Sequence, residues 1–203
     1  MYWVIGELDV KNDYARRAYG NEQDMHRCVM RMFDKKRVDE GVLYRVIRGH
    51  RTKILIQSIN KPDVKEAEKA GIKITAVRCI DEMLEKIEKD SIMCLNMYLS
   101  PAKSEKKEGW SRSKRVSIDD ADKRLEWVKS KLEQGGCEVP CVDFIQETKV
   151  PRIYFSHGKN EAKVPAYDYK VCVKIKDTEK FIDMFKTGIG SEKAYGLGMI
   201  LFT

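Results

Sequence analysis

The chain lacks the segments and clusters that mark membrane, secreted and zinc-binding proteins. No apolar run approaches the roughly 18 residues that a membrane helix needs, and the N-terminus lacks the charged and apolar regions of a signal peptide. Six cysteines are scattered over 203 residues, and the close pair Cys137 and Cys141 has neither a second pair nor a nearby histidine. We therefore expect a cytoplasmic protein with reduced cysteines and without a metal site or a cofactor.

Motifs for binding free nucleotides are also missing. Four glycines near the C-terminus, Gly188, Gly190, Gly196 and Gly198, have the spacing GxG-x5-GxG, which differs from GxGxxG, and the chain has no GKS or GKT. Glycines let a turn adopt positive φ, and the exposed N–H groups of such a turn can hold a phosphate. Judged from the glycine pattern alone, a turn that packs beneath a neighbouring helix is as good an explanation as a turn that binds phosphate.

Positive charge is concentrated in one segment of the chain. The whole sequence is 42% hydrophobic and 35% charged, with a net charge of +7. Residues 101–117 carry six basic and two acidic side chains, and we expect them to form a loop. The basic ones are Lys103, Lys106, Lys107, Arg112, Lys114 and Arg115. A polyanion suits such a surface, whereas a solvated linker is the usual explanation of a single charge run.

The order of predicted elements repeats in the two halves of the chain. Each half mixes about four strands with one or two helices in a β-α-β-β-like order. This order predicts an α+β protein with two tandem ferredoxin-like (RRM-like) domains, 1–90 and 91–203. The clustered aromatics of the RNP signature are absent, so stacking of bases on the sheet face is not predicted.

Several local expectations accompany this fold. Apolar residues at helical spacing predict a helix over residues 21–33. Alternating runs predict strands over residues 42–48 and 53–58. Residues 61–70 are expected to form a polar connection, and residues 139–146 are expected to form a strand.

Three histidines are candidates for proton transfer near neutral pH. His26 lies on the flank of the apolar stripe of the first predicted helix, where it can reach solvent or a cleft. His50 and His157 fall in predicted hairpin turns. A lone histidine on a helix flank is more often structural than catalytic, so spacing alone does not select His26.

Short motifs in a fixed order along nearly the whole chain resemble one known family. They are Met1-Tyr2, Asp24-Met25-His26, Met32-Phe33, Tyr44-Arg45, Leu55-Ile56-Gln57-Ser58, Leu99-Ser100-Pro101, Lys114-Arg115-Val116, Glu126-Trp127, Tyr154-Phe155, and Gly188-Ile189-Gly190 through Lys193 to Gly196-Leu197-Gly198. Each motif is weak individually, whereas their order is specific. The chain resembles the CRISPR-associated endoribonucleases of the CasE type.

The resemblance implies a tandem pair of ferredoxin-like folds of the repeat-associated RNA-binding superfamily. It implies cleavage of CRISPR repeat RNA (pre-crRNA) near the base of its hairpin stem, without metal, by attack of the 2′-OH. The implied products carry a 2′,3′-cyclic phosphate and a 5′-OH. It also implies that the enzyme keeps its product and joins other subunits in a type I-E (Cascade-type) surveillance complex.

The resemblance puts His26 at the family's catalytic position, as general base or as general acid. One residue departs from the family motif, in which a tyrosine precedes the catalytic histidine by three residues, because Gln23 occupies that position in this chain. Glutamine can hydrogen-bond a phosphate but cannot act as a general acid or base. Tyr19 lies one helical turn further back and is a substitute if the helix extends that far.

The resemblance further implies a divided RNA-binding surface. The basic residues expected to contact RNA are Arg27, Lys103, Lys106, Lys107, Lys114, Arg115, Lys159, Lys163 and Lys193. Those of the basic segment would follow phosphates, which gives a salt-dependent and largely non-specific contribution to binding. The hairpin 154–175, with Lys159 and Lys163 near its tip, resembles the family's element that grips the RNA stem, although turn solvation explains these lysines equally well. The glycine-rich loop with Lys193 is expected to order backbone near the RNA path and to pack against the histidine-bearing region.

Two other functions remain as alternatives at this point. One is an RNA-binding subunit of the same superfamily that does not cut, which Gln23 favours and His26 opposes. The other is an unrelated nucleotide-binding regulatory domain built on ferredoxin-like folds, for which the sequence shows no small-molecule pocket signal.

Overall fold

The computed structural model describes residues 1–106, 113–157 and 160–202, with the side chains of residues 157 and 160 excepted. The helices are α1 (Asp13–Gly20), α2 (Glu22–Met30), α3 (Val64–Lys69), α4 (Asp81–Glu85), α5 (Ala121–Gln134) and α6 (Thr178–Thr187). The strands are β1 (Tyr2–Leu8), β2 (Leu43–Ile47), β3 (Lys53–Ser58), β4 (Ile72–Cys79), β5 (Ile92–Leu99), β6 (Ala102–Glu105), β7 (Lys114–Ser117), β8 (Cys137–Glu138), β9 (Gln146–His157), β10 (Asn160–Ile175) and β11 (Ile200–Phe202).

The first half of the chain folds into an antiparallel sheet with the strand order β2-β3-β1-β4. The two outer positions are taken by the second and fourth strands of the unit, which is the ferredoxin-like arrangement. The inner face of the sheet packs on the helices, and Val4, Ile54, Ile56 and Met25 are all fully or almost fully buried there. Burial of such side chains contributes about 1.5–3 kcal/mol each.

A single asparagine separates the first two helices. Asn12 caps α1, and Asn21 both ends α1 and begins α2, where its side chain accepts a hydrogen bond from the backbone N–H of Gln23. Asn21 has extended backbone angles (φ −144°, ψ 115°), so the helix axis is interrupted at this residue. Residues before Asn21 therefore do not continue the helix that carries His26.

The second half of the chain repeats this architecture. Its sheet has the order β11-β5-β10-β8, and the long strand β9 pairs with β10. Helices α5 and α6 cover the sheet, with Val128, Leu132, Phe181 and Phe185 buried between the layers. The prediction of an α+β protein with two tandem ferredoxin-like units is confirmed, and the division at residue 90 stays a prediction.

The two sheets are joined by polar as well as apolar contacts. Gln57 of β3 donates a hydrogen bond through Nε2 to the carbonyl of Phe185 at 2.9 Å and accepts one from the Trp3 indole at 3.3 Å. The Trp3 ring also packs against the rings of Phe185 and Phe202. A buried arginine, Arg45 of β2, reaches Asn96 of β5. These contacts fix the orientation of one half relative to the other.

Three local expectations are wrong. Residues 61–70 contain helix α3, because the Asp63 side chain caps its first turn and Ala67 packs into the first core. Residues 139–146 are not a strand, because the chain turns through a short 3-10 helix, Val142–Phe144, between two residues buried in the second core. The basic segment is not simply a loop, since β6 and β7 pair at its base.

The cysteines also differ from expectation. Cys94 and Cys172 lie directly opposite each other on the antiparallel strands β5 and β10, and they form a disulfide. Sequence spacing gives no signal for this pair, because the two residues are 78 positions apart. The free cysteines of the described chain are Cys28, Cys79, Cys137 and Cys141.

Within the described residues, no helix is both long and apolar enough to cross a membrane.

Candidate active site

His26 is presented by α2 at the edge of the first core. Met25, Cys28 and Val29 of the same helix are buried, so they fix which face of α2 meets the sheet. The His26 ring is half-buried, and its Nδ1 is enclosed without a hydrogen-bond partner in the part of the chain that the structure describes. The ring is thus held by packing and retains an accessible part.

Two arginines and burial determine the charge state of His26. Burial lowers the pKa of this imidazole, and the neighbouring charges of Arg37 and Arg27 lower it further. Arg37 donates to the carbonyl of Val42 at 3.2 Å, and Arg27 is paired with Asp24 at 3.0 Å. His26 is therefore neutral near pH 7 and available to accept a proton.

The glycine-rich loop, residues 188–198, closes on itself through its glycines. Gly188, Gly190, Gly196 and Gly198 have φ values of 74°, 77°, 80° and 85°, the left-handed region that favours glycine. The carbonyl of Gly198 accepts a hydrogen bond from the N–H of Ile189 at 2.9 Å, and a Cβ on Gly198 would lie 2.7 Å from the Ile189 carbonyl oxygen. Other residues are therefore excluded by backbone contact at this position.

The same loop packs against α2 and β2, as the resemblance implied. Its short 3-10 helix, Lys193–Tyr195, is fixed from one side by the Tyr44 hydroxyl, which donates to the carbonyl of Ala194 at 2.6 Å. On the other side the Tyr195 hydroxyl donates to Oε1 of Gln23 at 3.2 Å. The loop thus lies beside the helix that carries His26.

Lys193 belongs to the same positive neighbourhood. Its Nζ donates to the carbonyl of Thr187 at 2.7 Å. Burial lowers the pKa of this ammonium, and the charge of Arg37 lowers it further. The charge of Arg37 lowers the pKa of both His26 and Lys193, so these side chains share one neighbourhood. We call Arg27, Arg37 and Lys193 the cationic group of the site. Such a group favours an anion over a neutral ligand.

The hairpin formed by β9 and β10 is anchored at the start of α2. Asn21 donates through Nδ2 to the Ser156 hydroxyl at 3.0 Å and accepts from the Ser156 N–H at 3.2 Å. The ammonium of Lys163 lies 5.7 Å from the centre of the Tyr154 ring. Lys159 lies outside the described residues. The hairpin and the histidine-bearing helix therefore share one rigid junction.

The basic segment approaches the first residues of the glycine-rich loop. Arg115 of β7 lines a cavity of about 700 Å³ together with Trp127 and residues 188–191. Lys103 is paired with Glu105 of the same strand, β6, at 2.6 Å. Lys106 is exposed, Lys114 lies on β7, and Lys107 lies outside the described residues. Of this segment, the structure brings Arg115 to the loop.

Sequence reasoning missed two side chains of this site. Arg37 follows the predicted helix in a stretch with no regular periodicity, so nothing in the pattern distinguishes it. Tyr195 lies between the glycines, where the pattern indicates only a loop. Tyr19, the alternative to the missing tyrosine, lies on α1 with 48% of its surface exposed, and the interruption at Asn21 removes it from the helix of His26.

Comparison with known proteins gives matches over the whole chain. The model of a family described as "CRISPR associated protein" matches residues 1–203. A curated relative, the CRISPR-associated endoribonuclease Cse3 of Thermus thermophilus, is 23% identical in an alignment 201 residues long, and the alignment covers 92% of each chain.

Solved structures also match this fold over the full length of the chain. A structure of the CRISPR endoribonuclease Cse3 bound to 19 nt RNA has a TM-score of 0.85 and 19% identity, with 100% of both chains covered. A chain of a CRISPR RNA-guided surveillance complex, in a pre-nicking state, has a TM-score of 0.75 and 17% identity, with 100% of this chain and 99% of that chain covered. At this level of identity the likeness establishes a shared fold.

Proposed function

Since the chain belongs to the family of CRISPR associated proteins, and resembles CasE-type endoribonucleases along its length, we propose that it processes CRISPR repeat RNA by cutting it. The observation that carries this proposal is the half-buried His26, on a helix that packs against the glycine-rich loop, with a pKa that burial and the charges of Arg37 and Arg27 lower. An imidazole that accepts a proton next to fixed positive charge suits the cleavage of a phosphodiester.

The reaction we propose uses the RNA's own 2′-OH as nucleophile. His26 removes the proton of that hydroxyl, the O2′–P bond forms, and the P–O5′ bond breaks. The 5′-oxygen takes up a proton from solvent water, and His26 releases its own proton to the solvent afterwards. The products are a 2′,3′-cyclic phosphate and a 5′-OH. Because a histidine neutral at pH 7 is ready to accept a proton, we assign His26 the role of general base, which the sequence left open.

The cationic group supplies the second requirement of this reaction. Negative charge increases on the non-bridging oxygens as the fifth bond to phosphorus forms. Fixed charges that are already in place stabilise this state without the cost of reorganisation. The charges of Arg37 and Arg27 both lower the pKa of His26. Positive charge therefore lies close to the imidazole that removes the proton.

RNA binding in this proposal is divided between three elements. The hairpin of β9 and β10 enters the deep, narrow major groove of the stem from its end, Arg115 follows phosphates beside the glycine-rich loop, and that loop orders the backbone near the scissile bond. The anchoring of the hairpin to Asn21 supports this arrangement, because it fixes the distance between the stem and His26. The product remains bound, and the protein joins other subunits of a surveillance complex around it.

The test of this function is a cleavage assay in chelator. A labelled hairpin RNA of the cognate repeat is incubated with the protein in EDTA, and the ends of the products are analysed. We expect one cut near the base of the stem, with a 2′,3′-cyclic phosphate on the upstream product and a 5′-OH on the downstream one. Activity that disappears in EDTA, or a 3′-OH product, would contradict the proposed reaction.

A non-cleaving RNA-binding subunit is the second candidate, and Gln23 is the observation that favours it. Glutamine cannot exchange a proton in the position where the resembling family has a tyrosine. Tight binding of the hairpin without any product, at enzyme in excess over RNA and at several pH values, would establish this second function. Binding of mononucleotides in place of the hairpin would reject both.

The pH dependence of cleavage follows from the state of His26. The neutral form is the active base, and burial and nearby cations lower its pKa from the ordinary value of about 6.5. We expect the single-turnover rate constant to be constant around pH 7 and to fall only when the pH drops below about 6.5. The measurement is the rate constant from pH 5 to pH 8. A rate that instead falls as the pH rises through this range would identify His26 as the acid.

A further inference from the structure

A phenol hydroxyl lies on the same side of α2 as the catalytic histidine. Gln23 precedes His26 by three residues within α2, and residues with this spacing are neighbours on a helix surface. Oε1 of Gln23 accepts a hydrogen bond from the Tyr195 hydroxyl at 3.2 Å. A residue 172 positions further along the chain is thereby connected to the turn that presents His26.

The position of this hydroxyl is fixed by three separate contacts. The Tyr195 ring stacks on the ring of Phe155, with centroids 4.0 Å apart and planes at 12°. The preceding residue is held through its carbonyl by Tyr44, and a Cβ on the following residue, Gly196, would lie 3.3 Å from the Tyr44 ring. A donor held in this way does not need to be ordered when a substrate binds.

The nearby cations have other partners. The Lys193 ammonium is bonded to the carbonyl of Thr187 at 2.7 Å, and the guanidinium of Arg27 is paired with Asp24. These groups act on the site through their charge. The Tyr195 hydroxyl is different, because its partner is the neutral amide of Gln23, which can rotate. After rotation, the amide nitrogen would donate to the phenol oxygen and leave the hydroxyl hydrogen for another acceptor.

We propose that Tyr195 is a second catalytic residue, whose hydroxyl donates a hydrogen bond to a non-bridging oxygen of the scissile phosphate while Gln23 holds the phenol in place. The inference rests on the proposed RNA-cleaving function. Tyr195 transfers no proton in this role, and it stabilises the charge that increases on phosphorus oxygens as O2′ attacks. Gln23 acts through Tyr195 and is a positioning residue.

The protonation state of the phenol agrees with this role. Burial raises the pKa of Tyr195, and the charge of Glu192 raises it further. The hydroxyl therefore keeps its hydrogen through neutral and mildly alkaline pH. A phenolate would instead repel the phosphate.

The test compares Tyr195→Phe with Tyr19→Phe on the hairpin RNA in EDTA. Tyr195→Phe keeps the ring that stacks on Phe155 and removes only the hydroxyl. We expect its single-turnover rate constant to fall by about 100-fold, as for the loss of one oxyanion donor, with an unchanged Kd for the RNA and an unchanged acid limb of the pH profile. Tyr19→Phe, which removes a hydroxyl from the exposed side chain on α1, is expected to cleave like the wild type.

Two further measurements separate a catalytic hydroxyl from a structural one. Sulfur in place of the contacted phosphate oxygen accepts hydrogen bonds poorly, so one phosphorothioate diastereomer should slow the wild type and have a much smaller effect on Tyr195→Phe. Gln23→Leu should also slow cleavage, and its combination with Tyr195→Phe should be no slower than Tyr195→Phe alone, because both changes disable one interaction.

The outcomes distinguish this proposal from the function on which it rests. If the wild type cleaves and Tyr195→Phe cleaves at the same rate, the role of Tyr195 is rejected and the cleaving function stands. The role of Tyr195 is also rejected if the slowed variant retains the full phosphorothioate effect, since the hydroxyl then does not contact the phosphate. If the wild type binds the hairpin without cutting it, the cleaving function and the catalytic role of Tyr195 are both rejected.

Discussion

His26→Ala is expected to lower the rate of hairpin cleavage by at least about 100-fold, the lower limit for loss of a general acid–base group. The imidazole of His26 is the proposed acceptor of the 2′-OH proton, and it is neutral at pH 7 because of burial and two neighbouring arginines. Those arginines carry permanent charge and cannot replace it as a base.

RNA binding is expected to survive this substitution. A neutral imidazole neutralises no phosphate, so its loss leaves the electrostatic part of binding unchanged. The single-turnover rate constant and the Kd of the same labelled hairpin are therefore measured side by side. Equal rates for His26→Ala and the wild type would reject the assignment.

His50→Ala is the matched control for this experiment. His50 is an exposed residue in the turn between β2 and β3. The substitution His50→Ala removes an imidazole from the turn between β2 and β3 and leaves His26 in place, so cleavage should remain at the wild-type rate. A similar loss of rate in both variants would point to an indirect effect on folding and would remove the support for His26 as base.

The position of His26 was predictable because the features that determine it are local. The helical spacing of Met25, Cys28 and Val29 fixes the buried face of α2, and the flank position of His26 follows from it. The ferredoxin-like order of both halves followed in the same way from alternation and helical periodicity. The four glycines were also recognisable, since positive φ is the ordinary reason for glycine in a turn.

What sequence reasoning missed depends on contacts between distant parts of the chain. The hydrogen bond between Tyr195 and Gln23 joins the two halves, and the pairing of Cys94 with Cys172 depends on the register of β5 and β10. From the sequence alone, Tyr19 is a reasonable substitute for the family's tyrosine, because no residue pattern predicts that the helix is interrupted at Asn21. Asn21 has an extended backbone, ends α1 and caps α2. The sequence does not distinguish this interruption from a continuous helix, and only the fold reveals it.

Arg45→Ala is expected to lower the free energy of unfolding by about 3–5 kcal/mol, the range for a buried charged group removed from its partners. Arg45 is 3% exposed and belongs to β2 of the first sheet. Its guanidinium donates to the side chain of Asn96 and, at 3.0 Å and 3.4 Å, to the carbonyls of Asn96 and Met199 in the second half. It also lies 4.0 Å from the centre of the Tyr98 ring.

The loss is large because the partners remain buried when the guanidinium is gone. Burial lowers the pKa of Arg45 to about 10, which leaves it charged at neutral pH. Asn96 connects this charge to the carboxylate of Asp168 through its own amide group. Alanine would leave the Asn96 oxygens without their donors and this carboxylate without a compensating cation.

Urea unfolding at pH 7 provides the measurement for this prediction, with Arg16→Ala as the matched control. Arg16 is an exposed arginine on α1, paired with Asp13, and its loss should change the free energy of unfolding by less than about 1 kcal/mol. A loss below about 1 kcal/mol for Arg45→Ala as well would contradict a structural role for the buried arginine. Because Arg45 fixes β2 against the second sheet, and β2 also carries Tyr44, its removal should loosen the glycine-rich loop. Cleavage by Arg45→Ala should therefore decline at urea concentrations that leave Arg16→Ala fully active.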